Sequence, residues 1–271
     1  MRKLLMTSAV LMAICLAGCV HARMPLATGS TPSSATSAHA DTRPEKAEAE
    51  KAGGWTSEER VKRMIEASET TLRPVYGPLA EYVVDRFDLR QTEGVGIDLG
   101  SGPGTLIVEL CRRTENLHWV NADINPHFFP YFLDLAEKHG FDGRVSAIRA
   151  DAGNLPFRDN YAAVIVSRGS YHFWDDTAAG FSEIYRVLEP GGVAFIGRGL
   201  SPNLPPEMAR KVRSAQDKNM DYDPQQKADE MRKALQEAGI ENYTVHTPDP
   251  DGAGDVNYGL WAEIHKAAGG S

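Results

Sequence analysis

Apolar residues recur three and four apart between residues 55 and 87, at Val61, Met64 and Ile65 and again at Leu79, Tyr82, Val83 and Phe87. That period turns one side of a helix toward a core. Breaks at Arg73-Pro74 and Gly77-Pro78 predict two helices with a bend. From residue 94 the pattern changes: short apolar runs at 94–98, 118–123, 145–149, 162–167 and 193–196 alternate with helical stretches at 105–113, 126–139 and 177–188. This alternation predicts an α/β fold, a parallel sheet with helices on both faces. The run at 162–167 is apolar on both alternating sets of positions, as in a central strand covered on two sides. Pro190-Gly191-Gly192 predicts a turn that closes the preceding helix. The last part reads differently, with a helix at 224–238 closed by Gly239, a strand at 243–246, a turn at 248–255 and a strand at 258–264. Two strands joined by so short a turn run antiparallel, so the sheet is expected to end in a C-terminal hairpin.

The 271 residues, 42% hydrophobic and 24% charged, describe a globular chain long enough to bury a core without staples. The net charge of −8 has its acidic excess in residues 55–271, which argues against nucleic acid or an anionic surface as a partner through a basic face. The cysteines are Cys15, Cys19 and Cys111; they build neither a disulfide framework nor a metal site, and Cys111 reads as a small core residue.

The first residues read as an export signal: Arg2 and Lys3 precede an apolar run at 4–18 that is shorter than the ~20 residues a spanning helix needs. Leu16-Ala17-Gly18-Cys19 resembles the lipobox of bacterial lipoproteins, which implies cleavage before Cys19 and a lipid on its thiol. Residues 1–18 are then a lipoprotein signal peptide, and the protein is expected in the cell envelope, anchored to a membrane and facing the periplasm. Val20 after the cysteine, rather than Asp, favours the outer membrane. Residues 19–54 are rich in Ala, Ser, Thr, Pro, Glu and Lys without apolar periodicity, and read as a flexible linker to a domain at 55–266. Residues 267–271 read as a disordered tail.

The chemistry concentrates in Val95-Gly96-Ile97-Asp98-Leu99-Gly100-Ser101-Gly102-Pro103-Gly104. Glycines between a buried strand and a helix let the backbone pass close under a ligand and aim amides at it. The dinucleotide fingerprint asks for a third small residue where this chain has Thr105, and Asp98 before the first glycine repels a phosphate and suits an ammonium. Asp123 ends the second strand, where a carboxylate can accept both hydroxyls of a ribose. Asp151 ends the third, where a carboxylate can take an exocyclic amine while the Ala152 amide serves a ring nitrogen. Together they describe a ligand with an amine at one end, a ribose in the middle, an amino-purine at the other, and no phosphate.

These residues resemble the class I S-adenosylmethionine-dependent methyltransferases. The likeness covers residues 55–266 and rests on the glycine loop, on Asn121-Ala122-Asp123-Ile124-Asn125, on Ala150-Asp151-Ala152-Gly153-Asn154-Leu155-Pro156-Phe157 and on Glu183-Ile184-Tyr185-Arg186-Val187-Leu188-Glu189-Pro190-Gly191-Gly192. It is nearest to the group of small-molecule and quinone-ring methyltransferases. The resemblance implies a Rossmann-like, seven-stranded, mostly parallel sheet with an antiparallel hairpin. It also implies S-adenosylmethionine as cofactor, held by Asp98, Gly100, Ser101, Gly102, Gly104, Asp123, Ile124, Asp151, Ala152 and Ser167, and a small-molecule or lipid-like acceptor. Ala162-Ala163 departs from the family, which opens the fourth strand with an acidic residue.

A sulfonium methyl is already activated, so placing the acceptor in line and excluding water is most of the task. After the fourth strand, Ser167-Arg168-Gly169-Ser170-Tyr171-His172-Phe173-Trp174 is the loop that the resemblance sets beside the reactive methyl. His172 is a candidate base, equally readable as a packing histidine; Tyr171, Phe173 and Trp174 are candidates to line an acceptor pocket or to favour the sulfonium through their aromatic faces, with core packing the alternative for at least one of them; and Arg168 is a holder of an acidic acceptor or a brace for the backbone. Tyr76 is a candidate lid residue, and residues 200–224 the other wall. Two further readings stand beside the transferase. An exported chain, remote from where the cofactor is made, is also readable as a tethered cofactor sensor without transfer, and a nicotinamide reductase is disfavoured by Thr105. No metal site is expected.

Overall fold

The computed structural model describes residues 57–214, 223–247 and 257–269. The signal, the Cys19 motif, the linker and the turn at 248–255 lie outside the described residues, and the described ones belong to one unit, Pro44–Ser271.

The chain opens with α1 (Glu58–Glu69), whose N-cap Ser57 accepts from the Arg60 amide and whose first turn carries Glu58 and Glu59 against the helix dipole. Helix α2 (Arg73–Arg86) starts at the first break, with Pro74 in its first turn where a missing N–H costs nothing. The second expected break does not occur, because α2 runs through Gly77-Pro78. A proline inside a helix costs about 3 kcal/mol. Val75, Leu79, Val83 and Val84 are all buried on this helix, and each such side chain contributes about 1.5–3 kcal/mol, so packing wins.

Strand β1 (Gly94–Leu99) leads through the glycine loop into α3 (Thr105–Cys111); β2 (Leu117–Asp123) leads through a short 3-10 turn into α4 (Phe129–Lys138). Then come β3 (Val145–Arg149), β4 (Ala162–Arg168), α5 (Thr177–Val187), β5 (Leu188–Gly199), α6 (Pro206–Ser214), α7 (Pro224–Glu237), β6 (Tyr243–His246) and β7 (Gly259–His265). The sheet has seven strands in the order β3-β2-β1-β4-β5-β7-β6. All pairs from β3 to β5 are parallel, and β7 is antiparallel to both β5 and β6. One apolar cluster packs α2, α3 and α4 on one face, and another packs α5 and α7 on the opposite face.

Strand β5 departs from the expected turn at Pro190-Gly191-Gly192. Pairing begins already at Leu188 opposite Ala162, and the register then slips so that Val193 lies opposite Val164. Gly191 has φ +85°, its amide donates to the Lys266 carbonyl at 3.1 Å, and the Gly192 carbonyl accepts from the Lys266 amide at 2.9 Å. The turn chemistry is present, but as a bulge inside a strand. Helix α6 was not expected as a helix; Ala209 and Val212 anchor it on Val75, Leu200, Leu204 and Tyr258.

Since the chain moves from β1 to β2 and β3 and then crosses back to β4, the carboxyl ends of β1 and β4 flank the point where strand order reverses. In open α/β sheets that crevice is where ligands bind.

Candidate functional site

Both ends of the glycine loop need the left-handed backbone. Gly100 has φ +69° and Gly104 φ +75°, and a Cβ at the first would overlap Ser170 while one at the second would overlap the Phe132 ring. The Gly100 amide donates to the Ala122 carbonyl at 2.7 Å, and the Gly102 carbonyl accepts from Asn121 Nδ2 at 3.1 Å. The loop is therefore pinned to β2 on one side and to the loop after β4 on the other. Thr105 Oγ1 and Asn121 Oδ1 are buried beside it without a hydrogen-bond partner among the described residues.

Asp98 and Asp123 are brought together at this edge. Asp98 is 2% exposed, and its Oδ2 accepts from the Ser101 hydroxyl at 2.7 Å. Burial pushes its carboxyl up to about 7; the Ser101 hydrogen bond and the more distant Arg168 oppose this, and the Asp123 charge adds to it. Asp123 accepts from the Gly102 amide at 2.7 Å through Oδ2 and from the Asn125 amide at 2.8 Å through Oδ1. Burial raises its carboxyl, and these two bonds pull it down. Each oxygen thus has one lone pair committed to the loop and one left for a ligand hydroxyl, so the carboxylate that was expected to meet a ribose also braces the loop. Asp151 stands apart. It is exposed, and its Oδ1 accepts from the Gly153 amide at 2.9 Å in a local turn, next to the buried Ala152. Ile124, 53% exposed, offers apolar surface directly after Asp123.

The loop after β4 forms the opposite wall. Ser167 is buried, and its hydroxyl lies 2.6 Å from that of Ser170, which donates to the Leu99 carbonyl at 3.0 Å. This latch holds the loop against β1, and Ser170 is a positioning residue that sequence reasoning missed; the signal for it was Gly100, which leaves room for its side chain. Arg168 is largely buried, with Nε donating to the Gly199 carbonyl at 3.1 Å and the guanidinium 5.5 Å from the centre of the Tyr76 ring. Burial and the nearby Arg198 lower its pKa, while Tyr76 and Asp98 act the other way. Tyr171 is buried. His172 is exposed, and its ring lies tilted by 42° against Phe173 at 3.8 Å between ring centres. Desolvation, then the Arg198 charge, push the His172 imidazole down to about 4. Phe173, 49% exposed, lies under the Arg60 guanidinium of α1 at 5.9 Å. Met64, also on α1, faces Gly102. Helix α1 therefore covers the glycine loop, and Tyr131 ties its far end down by donating to Glu69 at 2.7 Å.

The site combines a backbone cradle, two buried carboxylates at successive strand ends, and a wall of aromatic and cationic side chains. Residues 97–192 match the methyltransferase domain family. The chain is similar to the ubiquinone/menaquinone biosynthesis C-methyltransferase UbiE of Proteus mirabilis, with 32% identity over 126 residues, 46% of this chain and 50% of that protein. It is also similar to a chloroplastic 2-methyl-6-phytyl-1,4-hydroquinone methyltransferase of Oryza sativa, with 33% identity over 100 residues, 37% of this chain and 29% of that one. The chain thus spans about half the length of the first relative and less than a third of the second. A protein of Methanococcus maripaludis described as an S-adenosyl-L-methionine-dependent methyltransferase superposes with a TM-score of 0.66 at 30% identity, covering 78% of this chain and 94% of that one. A SAM-dependent methyltransferase from Aquifex aeolicus superposes with a TM-score of 0.53 over 76% of this chain and 96% of its own, and at 19% identity it speaks to the fold alone.

Proposed function

The chain belongs to the S-adenosyl-L-methionine-dependent methyltransferases, and from that membership we propose that it transfers a methyl group to a small, lipid-like acceptor, a hydroquinone ring being the class its relatives suggest. Asp98 carries the reading. A carboxylate this buried, next to a second carboxylate and with no cation in hydrogen-bond contact among the described residues, suits a ligand that brings its own positive charge.

The residues present fit the cofactor. The loop has the backbone cradle and no lysine, and its acids disfavour a phosphate. Asp98 takes the ammonium, Asp123 uses its remaining lone pairs for the ribose, and Ile124, Ala152 and Asp151 meet the purine. Ser101 acts on the ligand through Asp98, and Ser167 by holding the loop after β4. S-adenosylmethionine supplies a methyl group already activated by its sulfonium. The chain's task is alignment and exclusion of water, which Met64 and Phe173 serve at the crevice rim, while Tyr171 packs into the core. His172 is neutral at pH 7 and a weak base. It accepts a proton only from an acceptor made strongly acidic by alkylation, as a ring carbon becomes when it gains a methyl group.

Incubating the protein with methyl-labelled cofactor and envelope lipids tests this, with label expected in a polyprenyl-quinone fraction that has first been reduced. Cofactor binding without transfer to any lipid would instead support the tethered sensor. We extend the proposal to location on sequence grounds alone: Cys19 carries a lipid that anchors the chain to the envelope membrane. Cys19→Ala is expected to release the protein from membranes or leave its precursor unprocessed, and normal processing with full membrane retention would refute the anchor.

A further inference from the structure

The large apolar side chains that stand exposed are not spread evenly. Among the described residues they are Met64, Ile124, Leu133, Phe173 and Met208, and none of them is at the amino edge of the sheet. Met64 lies over the glycine loop, Ile124 follows β2, Phe173 follows β4, and Met208 is on α6, which packs against Leu200 and Leu204 just past β5. Ile124 is accounted for by the purine, which leaves Met64, Phe173 and Met208 around the crevice mouth. The amino edge is finished with paired charges instead, Arg90 with Glu81 and Asp85, and Arg186 with Glu183 and Asp159. At the mouth the cations stand beside the methionines. With about 3.6 residues per turn, Met64 shares a flank of α1 with Arg60 and Ala67, Arg63 lies next to them, and the acids Glu58, Glu59, Glu66 and Glu69 fall elsewhere on the helix. On α6, Lys211 is one turn from Met208. Arg63 and Lys211 are exposed and make no ion pair among the described residues.

Protruding apolar side chains with cations beside them suit a lipid–water boundary, where the apolar groups enter the acyl region and the cations meet phosphates. We propose that the crevice mouth rests on a phospholipid bilayer, with Met64, Phe173 and Met208 inserted and Arg63 and Lys211 at the headgroups, so that a lipid-like acceptor enters from the bilayer without crossing water. The course of the chain favours a bilayer over another partner. The stretch leading from Cys19 joins the domain at Ser57, the N-cap of α1, and Arg60 in the first turn of that helix already lies over Phe173. A lipid on Cys19 therefore draws this same end toward the membrane, and a tether raises the effective concentration of a weak surface contact. The acidic excess of the domain excludes a broad basic face, so the contact depends on insertion helped by two local cations. The proposal rests on the lipid-like acceptor read above and adds the surface through which it is reached.

Flotation with vesicles of phosphatidylethanolamine and phosphatidylglycerol tests this on the full chain carrying Cys19→Ala, which has no lipid of its own, and needs neither cofactor nor acceptor. That protein is expected to float with the vesicles. Adding Met208→Asp is expected to weaken the association about tenfold, as for withdrawal of one large apolar side chain from the boundary. Lys211→Glu is expected to weaken it about fivefold, and less on vesicles of phosphatidylcholine alone. Lys138→Glu, the same charge reversal at the amino edge, is expected to change nothing. Met208→Asp should also raise KM for an acceptor presented in vesicles while leaving transfer to a short-chain, water-soluble acceptor as it was. The proposal is overturned if the Cys19→Ala chain does not float, if Met208→Asp floats as well as its parent, or if Lys138→Glu costs as much as Lys211→Glu. Self-association in solution that Met208→Asp abolishes, with no flotation, would give the face to a second copy of the chain instead. Flotation with the expected pattern but no transfer to any lipid would uphold the surface and remove the acceptor reading, whereas transfer to a lipid without flotation would do the opposite.

Discussion

Asp98 and Glu263 are equally buried, each 2% exposed, and their environments drive them in opposite directions. Glu263 lies on β7, away from the crevice, and is surrounded by donors. Arg86 of α2 binds it in fork geometry at 2.9 and 3.1 Å, and the ring nitrogens of His246 and His265 lie at 2.9 and 2.8 Å. Burial pushes its carboxyl up, but the hydrogen bonds of His246, Arg86 and His265 outweigh that and hold the group at about 2. Asp98 has one hydroxyl in hydrogen-bond contact, a like charge nearby and Arg168 only at a distance, and burial carries it up to about 7. Where a buried carboxylate serves the fold, its partners come with the chain. Where it serves a ligand, the partner is left to the ligand, and the cost shows as a raised pKa.

Replacing each carboxylate with its amide should separate the two roles, and this is the largest effect expected. Asp98→Asn should weaken S-adenosylhomocysteine by about 30-fold or more, in the range for loss of one partner of a buried charge pair, with thermal stability kept or raised. Glu263→Gln should do the reverse, costing about 2 kcal/mol in a urea titration because Arg86 and its two histidine partners are partly solvated, with cofactor affinity unchanged. Two variants with the same phenotype would erase the distinction.

Stability against pH should carry both signs. Glu263 titrates lower in the folded state than in the unfolded chain, so its contribution is complete above about 4.5 and is lost as pH falls toward 2. Asp98 titrates higher when folded, so between about 4 and 7 the folded state holds the extra proton and stability declines as pH rises. Denaturant midpoints followed from pH 3 to 8 should lose their acid limb in Glu263→Gln and their neutral slope in Asp98→Asn. A smaller effect is expected of Ser101→Ala, which removes the one hydrogen bond holding the Asp98 charge. It should cost about 1 kcal/mol in cofactor affinity at pH 7 and less at pH 8.5, as read by calorimetry. A loss that did not shrink with pH would mean Ser101 touches the ligand itself.

Much of the frame could be read from the chain because its signals are local. The apolar runs at Val145–Arg149 and Tyr243–His246 coincide with β3 and β6, and Gly239, with φ +71°, stands just past α7 where a helix stop was expected. What could not be read depends on partners distant in sequence. Pro78 signals a break, yet the buried face of α2 carries the helix across it. The β5 bulge is fixed by bonds to Lys266, and α6 is too short for two buried residues to show a period. The site divides in the same way. Strand ends put Asp98 and Asp123 on the crevice edge from sequence alone, since each closes an apolar run, and Arg168 belongs to the loop read after the fourth run. That Asp123 also holds the Gly102 amide, that Ser170 fills the space Gly100 leaves, and that Tyr76 lies against Arg168 are consequences of strand order and helix packing.

Proton release is the sharpest probe of the claim that Asp98 awaits a cation. S-adenosylhomocysteine binding at pH 7 should be measured by calorimetry in buffers of differing ionisation enthalpy, for the wild-type protein and Asp98→Asn. A carboxylate about half protonated when free and ionised when its ammonium partner arrives should release roughly half a proton per ligand in the wild type and close to none in the variant. Binding that moved no proton in the wild-type protein, or the same number in both, would contradict the account.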